Sequence, residues 1–228
     1  MSATAYADHS EVAERARLSQ GTSETAIYEM VVKALEERVA AGSTLIDVGC
    51  GAGQLWPFLR RQFGRYIGVD VVRYENFPAA AEFTQANLDT GRVALPDGSA
   101  DVVAAVETIE HLENPRAFMR ELVRLVKPGG WVVVTTPNQL SLLSLLTLAI
   151  KQRFSAFQEV HYPAHLTALL EVDLQRIANE CGLRDVVISY SHEGRVVLTS
   201  RHYPRFLARR FPRAFSDNLL LIGRKLHD

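Results

Sequence analysis

Hydrophobic positions along the chain follow two alternating rhythms. Ile27, Val31, Ala34, Leu35 and Val39 recur at helical spacing and predict a helix over about 23–40. After Gly42 and Ser43, the run Thr44 to Val48 is short, apolar and β-branched, which marks a buried strand. Leu55, Trp56, Phe58, Leu59 and Phe63 return to helical spacing as far as Gly64, and Tyr66 to Val69 predicts a second strand closed by Asp70. Phe83 to Ala86, Asp101 to Val106 and Trp131 to Thr135 predict strands three to five. The helix between the last two is sharply delimited. Asn114 caps it, Pro115 takes its first position, Phe118, Leu122, Leu125 and Val126 form its stripe, and Lys127-Pro128-Gly129-Gly130 stops it. A helix from about Glu171 to Asn179, a sixth strand from Arg184 to Tyr190 and a seventh from Asn218 to Gly223 complete the pattern, leaving 137–170 and 191–217 unplaced. Strands alternating with helices of these lengths predict an α/β fold whose mostly parallel sheet is covered on both faces.

Composition narrows the class of protein. With 228 residues and 47% hydrophobic positions the chain can build one sizeable core. A net charge of -1 gives no global field for a nucleic-acid backbone, so any basic surface must be local. Cys50 and Cys181 are far apart in apolar surroundings, against a disulfide framework or thiolate metal site, and lead us to expect a cytoplasmic protein. Residues 1–20 carry Asp8, Glu11 and Glu14 and lack the basic-then-apolar order of a signal peptide. The longest apolar run, Leu140 to Ile150, is too short for the roughly 20 residues that cross a bilayer, but it suits a core helix, a lid or a membrane-surface helix.

The chemistry concentrates at strand ends. Asp47-Val48-Gly49-Cys50-Gly51-Ala52-Gly53 joins the first strand to the next helix, where a doubly wound sheet places its ligand. Glycines at alternate positions permit a tight turn and close ligand approach, and a helix start offers N–H groups to a carboxylate. The dehydrogenase fingerprint would need glycine at position 54, which is Gln. Asp70, ending the second strand, is placed to accept both hydroxyls of a ribose.

LIDVGCGAGQL, YIGVD, LPDGSADVVAAVETIEHLENP and LVRLVKPGGWVVVTTPN, in this order and spacing, resemble the motifs of class I S-adenosylmethionine-dependent methyltransferases, closely over about 42–138. The resemblance implies a Rossmann-like fold with a seven-stranded sheet, its last strand antiparallel, in one domain: an N-terminal helical lid (1–41), a cofactor-binding core (42–138), an apolar lid or acceptor region (139–170) and C-terminal strands with a basic insertion at 191–217 (171–228). It implies S-adenosylmethionine as cofactor. Asp47, Gly49, Gly51 and Gly53 would border its methionine part, Asp70 its ribose, Asn87 and Leu88 its adenine, with Val106 and Glu107 completing the set. Asn87 departs from the family's frequent Asp, and Asp89 could substitute by a small shift. Arg15, Arg17 and Tyr28 fall in the lid.

Glu107, Glu110 and His111 form ExxEH just past strand four. A histidine titrates near neutral pH, so His111 is the candidate general base for a hydroxyl acceptor. The same residues could ligate a cation, with Glu107 and His111 sharing a helical face if the helix starts early. ExxEH also resembles the ubiquinone-biosynthesis O-methyltransferases, where it is associated with a divalent cation, and the small-RNA 2′-O-methyltransferases, where a later histidine completes it; His161 or His165 would do so here. No metal ligand is assigned. Arg195, Arg201, Arg205, Arg209, Arg210 and Arg213, interleaved with aromatics and without an acid, suit anionic groups. The expected activity is O-methylation of a small or amphiphilic hydroxyl compound, lipid-linked, quinone-like or sugar, with peripheral membrane contact and no nucleic-acid partner. The alternatives are a metal-dependent RNA 2′-O-methyltransferase and a catalytically idle adenosyl-binding regulator.

Overall fold

A computed structural model describes residues 9–18, 21, 23–197 and 199–227, without the side chains of 9–11, 15 and 18. The chain runs α1 (His9–Leu18), α2 (Thr25–Leu35), β1 (Ser43–Val48), α3 (Trp56–Leu59), β2 (Phe63–Asp70), β3 (Glu82–Gln85), β4 (Ala100–Ala105), α4 (Pro115–Leu125), β5 (Val126–Pro137), α5 (Leu142–Lys151), α6 (Glu171–Glu180), β6 (Leu183–Tyr190), α7 (Arg205–Arg210) and β7 (Asn218–Lys225). The strands form one sheet in the order β3-β2-β1-β4-β5-β7-β6. Neighbours from β3 to β5 pair in parallel, and β7 is antiparallel to both β5 and β6. The chain therefore steps outward from β1 through β2 to β3, then returns to lay β4 on the other side of β1. That reversal opens a crevice beyond the ends of β1 and β4, where sheets of this kind bind ligands.

Both faces of the sheet are covered. On one, Phe118, Met119, Leu122 and Leu125 of α4 and Leu174 and Ile177 of α6 pack against Ile46, Val103 and Val132. On the other, Ile27, Val31 and Leu35 of α2 meet Leu45, Val102, Val133 and Leu220. Alternate residues of β1, β4 and β5 thus enter opposite cores, as the strand period demands. The cap of α4 is as expected, with Asn114 Oδ1 accepting from the Ala117 amide at 3.0 Å.

Several boundaries differ from the periodicity. The helix expected to reach Gly64 ends at Leu59, because Phe63 is already paired with Ser43 in the sheet. The expected helix over 23–40 is ordered as α2 only over Thr25–Leu35. Lys127-Pro128-Gly129-Gly130 does stop α4, but it belongs to β5. There the register shifts between the Ala100–Val126 and Val102–Trp131 pairs, so the turn residues are absorbed as an irregularity of the strand. The unplaced stretches contain α5 and α7.

Phe118 is buried between the helix layer and the sheet. Phe118→Ala should cost about 3–5 kcal/mol of unfolding free energy, measured by urea denaturation.

Candidate active site

A cleft of about 710 Å³ lies at the crevice, within the size range of small-molecule sites. Gly49, with φ +74°, turns the chain out of β1 into this space. A Cβ at Gly49 would collide with the Thr108 side chain, so the loop after β1 and the loop after β4 touch. Gly49 and Cys50 line the cleft, whereas Gly51 and Gly53 are covered. The backbone of Gly21 lies directly on Gly51 and its carbonyl accepts from the Ala52 amide at 3.3 Å, while Phe77 and Pro78 cover Gly53. The segment before β1 thus touches the glycine loop and its surroundings: the Tyr74 hydroxyl donates to the Ala16 carbonyl at 2.7 Å, and the Tyr28 hydroxyl accepts from the Ser23 amide at 2.9 Å. Tyr28 lines the cleft, Arg17 is exposed, and the Arg15 side chain lies outside the described residues.

Four carboxylates enter the cleft from strand ends. Asp47 accepts from the Tyr66 hydroxyl at 2.8 Å, and burial pushes its carboxyl up to about 7. Asp70 Oδ2 accepts from the Gly51 amide at 2.8 Å and Oδ1 from the Val71 amide at 2.7 Å; burial raises it too, against those bonds. A carboxylate oxygen can accept more than once, so these bonds leave Asp70 capacity for a ligand hydroxyl. Leu88 and Asp89 also line the cleft, whereas Asn87, among the described residues, does not; its Oδ1 accepts from the Asp89 amide at 3.0 Å in a local turn.

ExxEH does not form a continuous helix. Glu107 has φ +48°, a left-handed position that breaks the chain direction, and a single 3-10 turn follows over Ile109–His111. The Glu107 carboxylate is bound at strand ends and is not among the ligand atoms gathered around His111. The Thr135 hydroxyl donates to Oε1 at 3.0 Å and Asn218 Nδ2 donates to Oε2 at 2.8 Å. The expected Glu107–His111 metal face is corrected accordingly, since the positive φ removes the helical register it required. Burial, followed by repulsion from Glu110, raises the Glu107 carboxyl well above its usual range. Val106 lines the cleft beside it.

Glu110 is fully buried. The Thr136 hydroxyl donates to its Oε2 at 3.2 Å, its Oε1 has no partner among the described residues, and burial pushes it up to about 8. Its carbonyl accepts from the amides of Leu166 and Thr167, fastening the 161–167 segment across the cleft. That segment brings His165 edge-on to His111, with ring centroids 4.7 Å apart, and stacks His161 on His165 at 5.4 Å. His111 Nδ1 lies 2.8 Å from the Ala164 carbonyl and His165 Nδ1 lies 2.7 Å from the Ala156 carbonyl. A carbonyl only accepts, so both rings carry hydrogen on Nδ1 and Nε2 is the basic nitrogen of each neutral ring. Burial holds His165 down to about 4, and so uncharged at neutral pH. Ligand atoms of Glu110, His111 and His165 lie within 4.8 Å of one another. An oxygen and two imidazoles, with one buried carboxylate oxygen unsatisfied, fit a divalent cation. Of the two later histidines, His165 is the one placed in this trio.

Sequence reasoning missed Thr135, Asn218 and Tyr66, which hold the acids, and Tyr74, which bonds Ala16; none carries a local signal. Thr136 is recognisable as ending a strand that faces the cleft, but Thr-Pro-Asn is equally the sequence of a turn, and only its bond to Glu110 assigns it to the site.

A Rossmann-like sheet with a glycine loop at its switch point and an acid ending β2 defines an adenosyl-binding enzyme site. A family model described as a methyltransferase domain matches residues 23–187, and the chain belongs to that family of S-adenosylmethionine-dependent methyltransferases. The chain is 27% identical over 196 residues to a Mycolicibacterium smegmatis protein described as a probable S-adenosylmethionine-dependent methyltransferase, covering 83% of this chain and 71% of that one. It is 32% identical over 131 residues to a ubiquinone biosynthesis O-methyltransferase of Schizosaccharomyces pombe, covering 51% of this chain and only 46% of that one. A methyltransferase structure from Archaeoglobus fulgidus superposes with a TM-score of 0.61 at 20% identity over 87% of this chain and 94% of that one, a likeness of fold.

Asp47 should make the ligand-free protein pH-sensitive. Its folded carboxyl is raised to about 7, so between roughly pH 4 and 7 the folded state holds a proton that the unfolded state releases; its contribution to stability is full below about pH 4, falls across that window and levels off above about 7. Thermal melts from pH 4 to 8 should show a falling Tm, and Asp47→Asn should make the fall shallower, with Glu110, raised to about 8, supplying part of what remains. Gly49→Ala, with positive φ and a collision at Thr108, should lower Tm and weaken S-adenosylhomocysteine binding, measured calorimetrically.

Proposed function

We propose that the chain moves the methyl group of S-adenosylmethionine onto a hydroxyl oxygen of a small or amphiphilic acceptor, with His111 as general base. The observation that carries this reading is the tautomer of His111. Its Nδ1–H is spent on the Ala164 carbonyl, so Nε2 is the basic nitrogen of a ring lining the cleft between Asp70 and the 161–167 segment. In the transfer the acceptor oxygen forms a bond to the methyl carbon as the carbon–sulfur bond breaks. The electron pair stays on sulfur, leaving S-adenosylhomocysteine, and the hydroxyl proton passes to His111 Nε2. Alignment of the two reactants supplies most of the acceleration. Asp70 holds the ribose, Gly49 and Asp47 border the methionine part, Leu88 and Asp89 flank the adenine, and Glu107, fixed by Thr135 and Asn218, closes the floor. O-methylation is supported by the ubiquinone-pathway relatives, of which the chain spans about half the length or less.

The unsatisfied Glu110 Oε1 favours a second form of the same reaction. A bound divalent cation would be held by Glu110, His111 and His165, and would supply a Lewis acid that favours ionisation of the acceptor hydroxyl.

His111→Ala should retain S-adenosylhomocysteine affinity and lose about 10²-fold or more in turnover on the true acceptor; unchanged turnover removes His111 from the mechanism. Asp70→Ala should weaken S-adenosylhomocysteine by about 1.5–3 kcal/mol, the range for a hydrogen bond to a charged group. Calorimetry on chelator-treated protein, with Mg²⁺, Mn²⁺ or Zn²⁺ added alone and with S-adenosylhomocysteine, separates the two forms. Stoichiometric metal heat that disappears in His165→Ala assigns the trio to a cation, and its absence leaves His111 as the base.

A further inference from the structure

We propose that the edge of the molecule around the cleft mouth docks on an anionic lipid bilayer. β5 and β6 end at the same edge of the sheet as β1 and β4, since β7 is antiparallel to both. The two connections leaving β5 and β6 therefore emerge beside the cleft. They are also fastened to each other: the Leu142 amide, at the start of α5, donates to the Ala214 carbonyl at 2.8 Å, and Asn138 Nδ2 donates to the carbonyls of Arg213 and Ser216, both at 2.8 Å. The turn following α5 is held back on it by the Ser155 amide donating to Ser144 Oγ at 3.2 Å.

Among the described residues, these connections hold seven of the eleven large exposed apolar side chains. Leu145, Leu146 and Ile150 of α5, Val160 and Tyr162 beyond it, and Phe206 and Phe211 at α7 are exposed, with Ile150 at 78%, Val160 at 84% and Phe206 at 71%. Apolar groups exposed to this extent and gathered in two linked segments mark an interaction surface. Charge follows the same division. Residues 139–163 and 195–213 carry Lys151, Arg153, Arg195, Arg201, Arg205, Arg209, Arg210 and Arg213 against Glu159, in a chain whose net charge is -1; Arg153 pairs with Glu159, and Arg195, Arg205 and Arg213 pair with Asp217, Glu193 and Glu171 from outside these ranges, so Lys151, Arg201, Arg209 and Arg210 carry the excess. The remainder of the molecule is therefore acidic, and the cationic charge is concentrated where the apolar side chains are exposed.

That combination selects the occupant. A second copy would bring the same basic segments against this one, which repels. Nucleic acid would accept the arginines and stack on the two phenylalanines, but it gives Leu145, Leu146, Ile150 and Val160 nothing to bury against. An anionic bilayer surface takes both, with aliphatic side chains below the head groups and arginines among the phosphates. No helix among the described residues is long and apolar enough to cross a membrane, so contact would be peripheral. Val160, Tyr162 and Arg195 belong both to this surface and to the wall of the cleft. An acceptor with an apolar tail could then enter the cleft without passing through water, a consequence that rests on the proposed acceptor class, whereas bilayer binding itself does not.

The test is co-sedimentation of the 228-residue chain with phosphatidylcholine vesicles, with and without about 30% phosphatidylglycerol. Binding to the anionic vesicles alone, at least tenfold weaker at 0.5 M salt than at 0.05 M, is the expected result. Ile150→Asp with Phe206→Asp, and separately Arg209→Glu with Arg210→Glu, should each reduce binding at least tenfold while S-adenosylhomocysteine affinity is unchanged. Leu226→Asp, at an exposed apolar residue outside these segments, should leave it intact. Absence of wild-type sedimentation with anionic vesicles overturns the proposal, as does binding of a single-stranded RNA oligonucleotide that the Ile150/Phe206 variant retains in full. A dimer in solution that these variants dissociate would assign the face to a second copy and overturn it too. Vesicle binding without methyl transfer to any hydroxylated amphiphile would overturn the acceptor reading and leave this one standing.

Discussion

Of the seven acids among the described residues that line one cleft, Asp47, Asp70, Glu107 and Glu110 are the most deeply enclosed, and Arg195 is the single Lys or Arg beside them. Burial raises the pKa of all four, which is the energetic cost of placing negative charge in a confined space. The strand ends lower that cost with fixed donors: Tyr66 for Asp47, backbone amides for Asp70, Thr135 and Asn218 for Glu107, and Thr136 for Glu110. A ligand with positive charge completes the compensation.

The sheet is built so that this field exists only at one edge. The reversal from β3 back to β4 opens the crevice, and the antiparallel β7 delivers Asn218 to the end of β5 at the point where Glu107 needs a donor. Loops after β1, β4 and β5 then converge, with Gly49 against Thr108 and the 161–167 segment pinned to the Glu110 carbonyl. Outside the cleft the same edge is apolar and cationic, so acid within and arginine without divide one end of the molecule between cofactor chemistry and the surface that would present an acceptor.

Much of the site was legible in the chain because its motifs are local. The glycine loop, Asp70 at a strand end and ExxEH are each a few consecutive residues whose backbone position follows from the strand before them, and all three lie where the strand order reverses. The conditional pairing of Glu107 with His111 on one helical face has the same origin. Spacing of four implies one helical face only if the backbone is helical, and Glu107 at φ +48° is not. The choice between His161 and His165 could not be made from spacing at all, because it depends on how the segment after α5 folds back to hydrogen-bond Glu110.

The sequence by itself determined the layer architecture, the glycine loop and which acids stand at the strand ends, since periodicity and short motifs are properties of neighbouring residues. Only the tertiary structure decided which donors hold those acids, which nitrogen of His111 is basic, that Gly21 meets the glycine loop and Tyr74 meets Ala16, and that α5 turns Leu145, Leu146 and Ile150 outward. Each of these depends on residues distant in the chain, brought together because a buried carboxylate must find a donor and a buried imidazole N–H must find a carbonyl.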